Sequence, residues 1–222
     1  MTQIDNGSIL YRDEVIRKSI HLLSLSIPIV YYFVTRELAL KILIPLTLFS
    51  LLLDLSRYFF PKIGHFFYIF FGFLLRAHER DSAKKNLNGA TYVLLSAVIC
   101  VFILPKVLVI TAFCVLIISD SVAALIGRKF GKHKFLSKSL EGTTAFFISA
   151  CIVVILSPKV NGHYLEYIIG FIAVAVGAIA ENISYGWADD NLSIPLSVGL
   201  TMWLLYIIFL PNVQLILFNV PL

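Results

Sequence analysis

The feature that most constrains this chain is a succession of uninterrupted apolar runs. Hydropathy places them at about 19–34, 38–53, 90–104, 107–126, 143–157, 164–180 and 194–210. Each is about 15–20 residues long, roughly the length of helix that crosses a bilayer core. None alternates apolar and polar residues as a membrane strand does, so the runs read as helices rather than a barrel. Composition agrees. Of 222 residues, 59% are hydrophobic and 14% charged, too few charges to cover a soluble domain of this size. The longest polar gaps, about 76–89, 127–142 and 182–193, are too short to hold a core of their own. Residues 1–222 are therefore read as a single polytopic, all-α integral membrane domain, with its chemistry in the membrane or at its face. The first run lacks a small-residue cleavage site and is read as retained rather than as a signal peptide. Cys100, Cys114 and Cys151 lie inside apolar runs, odd in number and without close spacing. That suits packing residues better than a disulfide framework or a zinc site.

A shorter stretch, IGHFFYIFFGFLL at 63–75, is flanked by Lys62 and Arg76. Its length fits an interfacial or re-entrant helix rather than a crossing. Basic residues test that reading, because cytoplasmic loops carry an excess of Lys and Arg. If 63–75 does not cross and the N-terminus is cytoplasmic, only Arg36, Lys41, Lys106 and Lys159 of the 18 basic residues fall outside. If it does cross, the asymmetry is lost. The expectation is therefore about seven transmembrane helices plus one short interfacial or re-entrant helix, with the N-terminus cytoplasmic. The polar loops 76–89, 127–142 and 181–193 then share the cytoplasmic face.

Five polar patches could carry chemistry. Asp120 lies within an apolar run, where an ionised carboxylate needs water, a cation or a metal; the plainer reading is an ion pair with a neighbouring helix. The loop GRKFGKHKFLSKSLEGTT could serve only as a topology signal touching anionic lipid heads. That does not explain Gly127, Gly131 and Gly142, which let backbone N–H groups approach a ligand. Nor does it explain Ser139, Glu141 and Thr143 at what reads as a helix start, a place that binds anions. Together these parts suit a polyphosphate, although no P-loop spacing is present. The third patch, AENISYGWADDNLSIPL, has acids and no base. Glu181, Asp189 and Asp190 could offer oxygen to Mg²⁺; Asp189, Asp190 and Asn191 could equally cap a helix. The fourth, RAHERDSAKKNLNGATY, brings Glu79, Asn88 and Thr91 to the same side, or is an amphipathic connector. In the fifth, RKSIHLLS, His21 lies one turn from Arg17 and Lys18, so all three can share a helix face; a hydrogen-bonded interface histidine is the plainer alternative to a base. Transporters usually show internal repeats and deep polar sites, whereas these groups gather at one end. That favours an enzyme acting on a membrane lipid with a soluble phosphate donor. A chain so embedded is not expected to bind nucleic acid.

The string DSVAALIGRKFGK with KSLEGTTAFF, followed by DDNLSIP, resembles the CTP-dependent lipid kinases: dolichol kinase, phytol kinase and CTP-dependent diacylglycerol kinase. The RKSIH and NGATY stretches are similar to that family too, and the family is itself similar to phosphatidate cytidylyltransferase. The resemblance implies transfer of the γ-phosphate of CTP to a lipid alcohol at the cytoplasmic face, with Mg²⁺ as cofactor. It implies Asp120, Glu181, Asp189 and Asp190 as candidates for the metal. Arg128, Lys132 and Lys138 would neutralise the triphosphate. Ser139, Gly142 and Thr143 would offer donors to its oxygens, and Glu141 would order Lys138 or hold a second metal. Asp120 or Glu79 would accept the proton of the acceptor hydroxyl. Arg17, Lys18, His21, Asn88, Thr91 and Asn191 would line the remaining polar site. A cytidylyltransferase making a CDP-lipid, and a transporter without chemistry, are the alternatives.

Overall fold

The computed structural model describes residues 10–72, 87–184 and 189–222. Glu79 lies outside the described residues. The helices are α1 (Tyr11–Leu23), α2 (Ser26–Phe33), α3 (Arg36–Phe59), α4 (Pro61–Phe71), α5 (Gly89–Ile103), α6 (Lys106–Phe130), α7 (Leu140–Leu156), α8 (Tyr164–Ile183) and α9 (Asp190–Phe209). Strands β1 (Lys134–Phe135) and β2 (Lys138–Ser139) form a small antiparallel hairpin between α6 and α7.

Local chemistry sets most of the boundaries. Thr35, Asn88, Ser139 and Asp189 each stand at a helix N-cap and accept a backbone N–H two or three residues on, satisfying donors that the helix itself leaves orphaned. His163 and Glu166 form a reciprocal capping box at the start of α8. Pro61 biases Phe60 towards extended backbone, and Phe60 sits at φ −120°, ψ 103°, so α3 and α4 are separate helices. The apolar run at 19–34 is broken for a similar reason. Pro28 has no N–H to give the Ser24 carbonyl four residues back. That carbonyl accepts Ile27 N–H at 2.9 Å instead, and the chain tightens through Ser24→His21 and Leu25→Leu22 bonds of 2.9 and 3.0 Å.

Among the described residues, four helices are long and apolar enough to cross a membrane: α3, α6, α8 and α9. The apolar helices α5 and α7 have 15 and 17 residues. The expected run of seven spans thus appears as four full-length helices, two shorter ones and the broken pair α1–α2. The short stretch expected to be interfacial is an 11-residue helix packed on α3. The fold is that of an all-α membrane protein.

Helix α6 is the axis. It packs against α1, α2, α5, α7 and α9 and buries most of its length, from Val107 to Ala123. Its neighbours press Phe113, Phe146, Val154, Ile194 and Val198 into one apolar core. Near the 103–106 end, Arg36 donates to the Leu104 carbonyl at 2.7 Å, and Lys106 donates to the Val34 carbonyl at 2.6 Å. The other end carries a denser set of charges.

Candidate active site

That charged end is built from two turns of α1, the last three turns of α6, the last turn of α8, the hairpin, and the first turn of α9. On α1 the i, i+3 and i+4 spacing puts Glu14, Arg17, Lys18 and His21 on one face. Lys18 pairs with Asp120 of α6, and both side chains are almost wholly buried. His21 Nε2 stands 3.7 Å from the same Asp120 oxygen. Glu14 joins α1 to α6 a second time: it takes Arg17 at 2.5 Å and Arg128 at 3.2 Å. The Asp120 carboxylate is thus compensated by a lysine one helix away, which is how a helical bundle retains an acid in oil.

The second half centres on Lys138. Its ammonium pairs with Glu181 at the end of α8 and lies 3.7 Å from Asp190 at the start of α9. Burial pulls the Lys138 pKa down, but Glu181, Asp190 and Asp120 more than offset that, so its net shift is upward. Asp120 is among the acids that act on Lys138, so both lysine–carboxylate pairs belong to the charged end of the bundle.

Asn182 holds Lys138 in place. Its Oδ1 accepts the backbone N–H groups of Ser137 and Lys138 at 2.8 and 3.2 Å. Its Nδ2 donates to Thr143 Oγ1 at 2.6 Å. The hairpin needs such a clamp, because Leu136 at its turn has φ +51°, a left-handed conformation unfavourable for a side chain of that size. Such strain persists only where surroundings impose it.

Ser139, Gly142 and Thr143 bond chiefly with one another. Gly142 N–H donates to Ser139 Oγ at 3.2 Å, and Thr143 Oγ1 donates to the Ser139 carbonyl at 3.1 Å. The glycines serve close packing here. A Cβ on Gly131 would come 2.3 Å from the Gly127 carbonyl and 2.8 Å from Ser139, and one on Gly142 would come 3.2 Å from Gly127. They let the end of α6 and the start of α7 meet. Glu141 turns back to accept His133 Nδ1 at 2.7 Å and is part of the hairpin's outer edge. Lys132 is exposed beside it. Asp189 caps α9 through Asn191 N–H at 2.9 Å, and the Asn191 amide returns to Asp189 at 2.6 Å.

Asn88 and Thr91 belong to a separate buried group. Asn88 Oδ1 accepts Thr91 N–H at 3.0 Å, and Asn88 N–H donates to Asp54 Oδ2 at 2.6 Å. Asp54 is paired with Arg57 at 2.9 Å, and Thr91 meets Ser50 at 2.8 Å. Sequence reasoning missed Glu14, Asp54, Arg57 and Asn182. The acid–base pairs at i+3 were there to be read; the burial that gives them weight was not.

The resemblance implies Mg²⁺, and the donors fit it in one way. Glu181 Oε2 is buried and has no hydrogen-bond partner among the described residues, with Asp190 on the other side of Lys138. Both supply hard oxygen. No group of three His, Cys, Asp or Glu side chains converges among the described residues. Phosphate oxygens and water would have to complete the shell, as they commonly do for this ion.

Over 187 residues the chain is 35% identical to Uncharacterized protein RP860 of Rickettsia prowazekii, an overlap that takes in 83% of this chain and 91% of that protein. The chain belongs to that protein's family. It is also 27% identical over 169 residues to CTP-dependent diacylglycerol kinase 1 of Schizosaccharomyces pombe, covering 68% of this chain and 74% of the kinase. With the phytol kinase of Synechocystis it shares 31% identity over 97 residues, 38% of each chain. Distant homologues of the RP860 family are therefore lipid kinases, which agrees with the apolar helices of an integral membrane protein. No family model matches the chain. No solved structure matches it either.

Proposed function

We propose that the protein transfers the γ-phosphate of CTP to the hydroxyl of a membrane lipid alcohol, at a cytoplasmic face formed by the charged end of the bundle. The observation that carries this reading is the presence of two lysine–carboxylate pairs at one end of the bundle, Lys18–Asp120 and Lys138–Glu181/Asp190, drawn from α1, α6, α8, α9 and the hairpin. Phosphoryl transfer asks a protein mainly for positioning and charge neutralisation. Lys138 and Arg128 would draw the triphosphate to this end, with the exposed Lys132 steering it. Glu181 and Asp190 would hold Mg²⁺, which when bound supplies further neutralisation of phosphate charge. Closely packed Gly127, Gly131 and Gly142 fix the hairpin against α6 so that Lys138 does not wander. The lipid hydroxyl attacks the γ-phosphorus in line. The bond from that phosphorus to the β-phosphate oxygen breaks, CDP leaves, and the hydroxyl proton passes to the Asp120 carboxylate. Lys18 steadies that carboxylate. Glu79 remains the other proposed base.

The test is purified protein in detergent with Mg²⁺ and γ-labelled CTP, offered phytol, a polyprenol and diacylglycerol. Label in the organic phase supports the kinase and identifies the acceptor. Pyrophosphate release with phosphatidic acid, and no label transfer, overturns it in favour of a cytidylyltransferase. No nucleotide turnover with any lipid overturns the enzyme reading.

A further inference from the structure

A groove of about 460 Å³ runs between the α1–α2 pair and α3, with Leu94 of α5 at its floor. It is lined by Ile20, Leu23, Ile27, Val30, Leu43 and Leu46 among others, and its polar side chains are Ser24, Ser26 and Tyr31. Three features set it apart from ordinary lipid-facing surface. First, it starts beside the candidate active site. Ile20 and Ser24 flank His21 on α1, and His21 stands 3.7 Å from Asp120. Second, it runs away from the charged end. The lining residues proceed from Ile20 to Val34 along α1–α2, about 20 Å at the rise of a helix, and from Leu46 to Ala39 along α3, about 10 Å; the longer wall is roughly two-thirds of the hydrocarbon core. Third, the break between α1 and α2, at Ser24 and Leu25, falls within the length of the groove, whose lining includes Ser24 and Ser26.

We infer that this groove holds the hydrocarbon chain of the acceptor lipid, one chain along its single lane, with the hydroxyl at the Asp120 end. The inference rests on the lipid-kinase reading and adds the path of the tail and its single-chain form. An alcohol whose tail lies there reaches Asp120 without drawing its chain into water, since Asp120 sits ten residues before the end of α6, about 15 Å down the helix. A tail seated along one lane also makes recognition depend on chain length.

The experiment uses the full-length protein. Val30→Trp and Leu46→Trp fill the middle of the groove at positions about half exposed to lipid, where folding tolerates bulk. Leu52→Trp, exposed on α3 and outside the groove, is the control. Both groove variants should raise the KM for a long-chain alcohol about tenfold, the range in which a hydrophobic pocket discriminates. They should leave the KM for CTP unchanged and spare an alcohol too short to reach the tryptophan. In parallel, a long-chain alcohol carrying a diazirine on its tail should crosslink to peptides from residues 20–46, and excess unlabelled single-chain alcohol should compete. Competition by bulk phospholipid alone, or groove variants indistinguishable from Leu52→Trp in an active enzyme, would overturn the inference. If wild type transfers phosphate to no alcohol, the kinase reading falls, and crosslinking still decides whether a chain occupies the groove.

Discussion

At the scale of single residues, the cluster separates stability from chemistry. Lys18 and Asp120 are buried together. Removing one partner leaves the other charged and uncompensated, at about 3–5 kcal/mol. Asp120→Leu or Lys18→Met alone should therefore lower the thermal midpoint. The double variant should recover most of that loss, because a well-packed apolar pair replaces a buried ion pair at little net cost. The double variant should still transfer no phosphate, since the proton acceptor is gone. Full activity in it would remove Asp120 from the mechanism. Lys138 gives a pH prediction. Its folded pKa lies above the usual 10.5, so its ion pairs contribute stability fully below that value, and the contribution fades as pH rises through the folded pKa. The stability gap between wild type and Lys138→Met should be constant from neutrality to pH 10.5 and narrow only beyond it. A gap that already closes near neutrality would contradict the assigned partners. Asp120 was legible in the sequence as an acid within oil. Its partner was legible only as a residue sharing a face with His21, because no local spacing links positions 18 and 120.

At the scale of elements, the hairpin is the part that sequence reasoning saw least clearly. Its strands have two residues each, too few for a periodic signal, and its turn uses Leu136 and Ser137 where glycine or asparagine would have announced it. The positive φ of Leu136 costs roughly 1–2 kcal/mol. Leu136→Gly should relieve that strain and, after glycine's greater loss of chain entropy, raise the thermal midpoint by about 2–4 °C, with transfer activity retained. A lower midpoint would mean that Leu136 contributes packing which outweighs the strain. Asn182→Ala should do the reverse. Losing the clamp frees Ser137 and Lys138 N–H, and the KM for CTP should rise while the KM for the lipid stays put. The glycines were visible as a pattern around the basic loop, and the reading that they bring backbone to a ligand was reasonable. Their neighbours are the ends of α6 and α7, a packing role that depends on which helices touch.

At the scale of the whole molecule, segregation of charge is the organising fact. The acids and bases of α1, α6, α8, α9 and the hairpin gather at one end, while Arg36, Lys106, Lys159 and Glu166 lie at helix starts and loops of the other. The long apolar runs made the helical membrane class readable without coordinates. The exact number of crossings was harder, because α5 and α7 are shorter than a bilayer-spanning helix usually is and the first run is bent by Pro28. The two-ended distribution predicts sidedness directly. Between a cysteine replacing Lys134, exposed on the hairpin, and one replacing Asn161, exposed in the loop between α7 and α8, the one intervening helix is α7. If α7 crosses despite its 17 residues, a membrane-impermeant maleimide should label them from opposite faces of sealed vesicles, Lys134→Cys from the cytoplasmic side. Labelling of both from one face would mean that α7 does not cross.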